Sequence, residues 1–155
     1  MTHQTSYNDA PEIGRPGDLV NGEEFNTLSR VVETAAGVGF GVPVARGNAD
    51  LGCIAFAAST KFLGITRRDK AASPKDGDKF AQHRTAAILD DGVIFGLAGA
   101  ALSDGGNVFW HIADENYVAA AGSGILEVPG CEYDSSVSDG EIVKIRVRKT
   151  TPAAA

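Results

Sequence analysis

Turn-forming residues recur so closely along this chain that they leave little uninterrupted length for a helix. From residue 28 onward, short apolar runs alternate with glycine-, proline- and Asp-Gly-bearing turns. They return at intervals of about 8–12 residues, the spacing of an all-β sandwich or barrel. The run "EIVKIRVRK" (141–149) shows the pattern best. Val143, Ile145 and Val147 face one way and Lys144, Arg146 and Arg148 the other, which predicts a half-buried strand after the Ser138-Asp139-Gly140 turn. "FGVPVAR" likewise puts Phe40, Val42 and Val44 on one face. "CIAFA" (53–57), "FLGIT" (62–66) and "NVFWHI" (107–112) are further strands. "TAAIL" and "VIFGLA" flank Asp90-Asp91-Gly92, which predicts a hairpin there, and "GILEV" and "CEYDSSV" flank a turn at Pro129-Gly130. The one amphipathic stretch with helical spacing is "EEFNTLSRVVETAA" (23–36), and its Val31-Val32 pair and threonines suit a strand at least as well.

Size and charge narrow the function classes. The chain has 155 residues and a mass of 16.1 kDa, enough for one self-sufficient core. Its net charge of −6 opposes a whole-protein role on nucleic acid, which needs counterion release from a basic surface. No run of successive apolar residues is long enough to span a membrane, and the first residues lack the basic and apolar regions of a secretory signal. Cys53 and Cys131 lie far apart and are expected to be buried thiols.

The chain divides by composition. Residues 1–27 carry Gly14, Gly17, Gly22, Pro11 and Pro16, show no apolar period, and set five acids against Arg15. Such a segment orders poorly by itself. It is expected to be an extended arm that orders against a partner through a few anchors, among them Tyr7, Ile13, Leu19 and Phe25. The expected division is thus an arm (1–27), a single β domain (28–150) and a disordered tail (151–155).

No motif for chemistry survives inspection. In "GFGVPVARG" (39–47) the glycines lead into Val42-Pro43-Val44, not into a helix whose N-terminus would hold phosphate, and no Gly-Lys-[Ser/Thr] follows. Glycines in this setting mark bends or close strand packing. His3, His83 and His111 share no short spacing with one another or with a cysteine, so no metal site is expected. Asp76-Gly77-Asp78 and Asp90-Asp91-Gly92 lack the calcium-loop pattern. Ser123 lacks the flanking glycines of a nucleophile elbow, because Ala121 and Ile125 stand there. No catalytic residue, cofactor or metal is expected.

In their order and spacing, "IGRPGDLVNGEE", "GFGVPVARG", "FLGITRRDKA", "AAILDDGVIFGLAG", "VFWHI" and "VPGCEYDSSVSDGEIVKIRV" resemble the structural cement (decoration) proteins of tailed bacteriophages. The likeness runs from about residue 13 to 148. It departs from the family pattern at Tyr133, where phenylalanine is usual, and in the polar stretch "KAASPKDGDKFAQHR" (70–84). The resemblance implies a non-enzymatic, jelly-roll-like sandwich or barrel, made in the host cytoplasm and carried on the outside of the virion. There it would bridge neighbouring major capsid subunits as a homo-oligomer, a dimer or trimer. Tyr7, Ile13, Arg15 and Leu19 of the arm and Lys144, Arg146 and Arg148 of the last strand are the expected capsid or subunit contacts. Arg67-Arg68 is a weaker basic candidate, and charge on the last strand could equally serve to protect a sheet edge. The alternative is a β-sandwich module of a phage tail that binds carbohydrate or a receptor. A third class, a hydrolase with a shallow site, has no triad or metal set to support it.

Overall fold

The computed structural model describes residues 14–69 and 79–148, and among these there is no helix. Eleven strands form in chain order: β1 (Asn26–Val32), β2 (Val38–Gly39), β3 (Pro43–Arg46), β4 (Gly52–Ala55), β5 (Phe62–Thr66), β6 (Lys79–Phe80), β7 (Thr85–Leu97), β8 (Asn107–His111), β9 (Asn116–Val118), β10 (Ile125–Tyr133) and β11 (Ile142–Val147). The all-β expectation holds, and the stretch with helical spacing contributes β1.

Two closures share one strand. β1 pairs with β4 in parallel, and antiparallel steps from β4 to β3, β5 and β7 lead back to β1, which completes a small barrel. β7 then continues into a second set, β7-β11-β10-β8-β9. That set returns toward β7 through a bridge between Ala98 and Tyr117, where the Gly99 amide donates to the Tyr117 carbonyl at 2.8 Å. β2 and β6 form a short separate ribbon.

The hairpin expected at Asp90-Asp91-Gly92 does not form. β7 runs unbroken through these residues for 13 positions. It changes partners there, since Asp91 is the last residue paired with β1 and Gly92 the first paired with β11. The Asp90 carboxylate is buried and accepts a 2.6 Å hydrogen bond from Asn26 Nδ2, so it cannot sit at a solvated tip. Gly92 supplies the bend with φ +135°, and a Cβ there would lie 2.9 Å from Phe25 Cβ. Pro129-Gly130 is likewise a bulge inside β10 and not a turn between strands. Between Glu127 and Glu132 the chain advances five residues while its partner moves only from Phe109 to Asn107. Proline, lacking an N–H, is tolerated in such a bulge.

Each closure encloses its own core. Val32, Cys53, Val44, Leu63 and Ile88, one from each strand of the first circuit, fill the small barrel together with Phe40 and Phe80. Their neighbours in sequence Ile54, Ala45 and Leu89 turn outward, join Ile65, and meet the second core. That core holds Val143, Ile145 and Val147 of β11 with Val128, Val108, Trp110, Tyr117 and Tyr133. The Trp110 and Tyr117 rings meet edge to face with centroids 4.9 Å apart.

Candidate interaction surface

β11 turns its apolar residues inward as expected, which leaves Lys144, Arg146 and Arg148 on the outer face. The strand is not a sheet edge, because β7 and β10 flank it. Protection of an edge therefore does not explain the charges. Two of the three cations are engaged within the chain. Arg146 reaches Glu23 Oε2 at 2.9 Å with one guanidinium nitrogen and Asp134 Oδ2 at 3.0 Å with the other. Arg148 meets Glu132 Oε1 at 2.9 Å. Hydrogen bonding from Arg146 holds the Glu23 carboxyl below its ordinary range, and Glu23 with Asp134 pushes the Arg146 guanidinium up. Half-buried Lys144 makes no ion pair with a carboxylate of the described residues.

Of the arm residues, Tyr7 and Ile13 lie outside the described residues. Arg15 is exposed, and its backbone amide donates to Asp18 Oδ2 at 3.1 Å. Leu19 turns inward onto the second core and bridges Ile94 of β7. Around it, residues 16–20 form a strap along the edge of β7 that β11 leaves open. The Gly17 and Val20 amides donate to the Phe95 and Val93 carbonyls at 2.9 and 3.2 Å, and the Phe95 amide returns one to Asp18 at 3.0 Å. Contact with the domain is close enough to demand glycine on both sides. Gly17 and Gly41 have φ +91° and +70°, and a Cβ on Gly41 would lie 2.7 Å from the Gly17 nitrogen.

Arg67 and Arg68 serve the same region. Arg68 donates from Nε to the Pro16 carbonyl at 3.1 Å and lies 4.9 Å over the Phe40 ring. Arg67 donates to Thr27 Oγ1 at 2.9 Å and stacks 5.2 Å over Phe25. The sequence offers no signal for these contacts beyond the glycines, because the partners lie 40 and 52 residues away.

The described residues hold no group of three or more His, Cys, Asp or Glu side chains arranged to bind a metal ion. His111 instead contacts Asp114 Oδ2 at 2.9 Å. Both thiols are free, and burial pushes them up, Cys53 to about 11 and Cys131 to about 12, so neither is a thiolate nucleophile at neutral pH. No helix among the described residues is long and apolar enough to cross a membrane.

Residues 3–148 match the family described as "Structural cement protein (E217 gp24/Pam3 gp6)". The chain belongs to this phage cement family. Membership gives it a structural role associated with the phage capsid, and implies a non-enzymatic one. The fold also superposes on a chain from the structure described as "The capsid of Myoviridae Phage XM1", with a TM-score of 0.74 at 16% identity, over 97% of this chain and 100% of that one. At that identity the likeness speaks to the fold. Among curated proteins, none matches. Tyr133 has a use here that a phenylalanine would lack. Its hydroxyl donates to the Val118 carbonyl at 2.7 Å and accepts from the Phe109 amide at 3.4 Å, which ties β10 to both β8 and β9. Tyr117 does the same between the two halves, donating to the Gly41 carbonyl at 2.7 Å.

Proposed function

We propose that this cement protein attaches to the outer surface of the phage head and bridges neighbouring major capsid subunits, acting as a small homo-oligomer, a dimer or trimer. The observation that carries the reading is the family match over residues 3–148, which spans both closures and the strap. The need is physical. Packaged duplex carries one charge per ~1.7 Å of axis and repels itself, so the shell must resist outward force. Each bridge can be modest, because many copies attached at two points gain from effective concentration. A specific interface buries ~1,200–2,000 Å², and a compact domain reaches that area more readily with an extended segment. In this reading residues 1–27 form the arm, 28–150 the domain and 151–155 a tail. Tyr7, Ile13 and exposed Arg15 are the arm's contacts with the head, whereas inward-facing Leu19 anchors the arm's root. The protein is made in the host cytoplasm and added to the exterior of the virion, without a cofactor and without touching the packaged nucleic acid.

The test is co-sedimentation of the purified protein with expanded heads that lack it, with unexpanded proheads as the control. Saturable binding to expanded heads at a fixed copy ratio supports attachment, and the ratio indicates the symmetry position. No binding to either particle overturns the proposal and returns the tail-module reading.

A further inference from the structure

The three outward cations of β11 are not equivalent. Arg146 and Arg148 already hold carboxylates of their own chain, at 2.9–3.0 Å. Lys144 has no such partner among the described residues, and it lines a cleft of about 680 Å³ between the start of β11 and residues 135–137. A cleft of this size falls in the range that takes a ligand group or a few residues of peptide. Its lining defines what would fit. Val137 and Ile142, both half-buried, provide the apolar surface. Ser135 Oγ accepts from the Lys144 amide and Ser136 Oγ from the Asp104 amide, each at 3.0 Å. Each hydroxyl proton is thereby turned away from those amides and is available to donate. Glu141, the one carboxylate among the described lining residues, accepts from the Ser138 amide at 2.8 Å and so caps its own turn. The cleft therefore presents one ammonium and two hydroxyl donors beside an apolar wall. Groups with that balance are complemented by a carboxylate on a short apolar stem.

We infer that this cleft is the polar anchor point for a carboxylate side chain of a neighbouring capsid protein, with Lys144 as its ion-pair partner. The inference rests on the attachment reading above and goes further, because it separates Lys144 from Arg146 and Arg148. Those two act as internal braces that hold the face in shape.

The experiment uses the full chain bound to expanded heads that lack it. Lys144→Glu, the milder Lys144→Gln, and Arg148→Glu are compared with the unmodified protein, after unfolding curves confirm that each is folded. Arg148→Glu matches Lys144→Glu in charge change on the same face, outside the cleft. Lys144→Glu is expected to weaken binding by about tenfold or more, Lys144→Gln by less, and Arg148→Glu least. In parallel, a zero-length carbodiimide joins the Lys144 amine to whichever carboxylate it touches, and mass spectrometry reads the product. A Lys144 cross-link to a capsid protein supports the inference. A cross-link to this chain itself, in the same or a second copy, overturns it, as does equal weakening by Lys144→Glu and Arg148→Glu. If the unmodified protein binds and Lys144→Glu binds as well, the cleft is not the anchor. If the unmodified protein does not bind at all, the attachment reading fails instead.

Discussion

The two closures share β7 yet treat their surfaces differently. In the first, successive residues are buried in opposite directions, so that Val44 and Ile88 fill the barrel while Ala45 and Leu89 face the second core. In the second, β11 buries every other residue and leaves the intervening cations half-buried or exposed. A sheet covered on both faces has no face left for a partner, and one covered on a single face keeps its other side available. β3, β5 and β7, where the two halves meet, thus behave as interior scaffold, whereas β1 keeps an outward face and the second half presents the surface on which charges and a cleft are arranged.

The sharpest way to break this comparison is by truncation at neighbouring positions. Ile88→Ala and Leu89→Ala point to opposite sides of β7, and each is expected to cost about 2–5 kcal/mol. On β11, Ile145→Ala should cost as much, whereas Lys144→Ala should fall within about 0.5 kcal/mol of the parent. Urea unfolding with an unchanged slope gives all four values. A mild Leu89→Ala would show that the first half is covered on one side only.

A second test sets two glycines of positive φ against each other. Gly140, with φ +84°, has open space where a Cβ would stand, so Gly140→Ala should cost only the backbone penalty, about 1 kcal/mol. Gly41→Ala adds a collision with the Gly17 backbone and should cost roughly 2–5 kcal/mol. It should also speed hydrogen exchange at the Phe95 amide, whose acceptor is Asp18 of the strap. Equal thermal shifts for the two variants would mean that the strap does not press on the domain.

The smallest effect concerns the brace between the strap's end and β11. Arg146 holds the Glu23 carboxyl below its ordinary range, so the bridge contributes fully at neutral pH. That contribution fades as pH falls through the lowered value of Glu23. The Arg146 side chain is 26% exposed and that of Glu23 46%, so water and salt reach the bridge and salt should weaken it as well. Carbon-detected titration of Glu23 is expected to return to the ordinary carboxylate range in Arg146→Gln. A Glu23 titration unmoved by that substitution would remove the brace.

How much of this was legible in the sequence depends on how far apart the interacting residues lie. The alternation in β11 is local and reads directly as a strand with a buried and a charged face. Asp90-Asp91-Gly92 misleads because an Asp-Gly step suits both a hairpin tip and a bend inside a strand. What decides between them is Asn26, 64 residues away, whose amide satisfies the buried Asp90. The face of Lys144, Arg146 and Arg148 was visible, but its neutralisation was not. Glu23 is 123 residues from Arg146, and Asp134 and Glu132 reach their arginines only through the pairing of β10 with β11 and its turn. Cys53 conforms to the expectation of a buried thiol, whereas Cys131 is only half-buried. The strap was legible as unusual composition, while its bonds to β7 depend on an open strand edge that no local pattern reveals.

The single strand common to both closures also orders events in time. A chain emerging from the ribosome has made β1, β3, β4 and β5 before any of β7 exists, so the first barrel lacks its closing member until residues 85–91 appear. The second closure waits longer still, for β11 at residues 142–147. Pairings this distant in sequence are slow to form, on the order of milliseconds to seconds. Neither half completes a hydrogen-bonded circuit without β7. A prematurely terminated chain would thus expose open strand edges, and particle assembly would draw on molecules whose two halves had closed together.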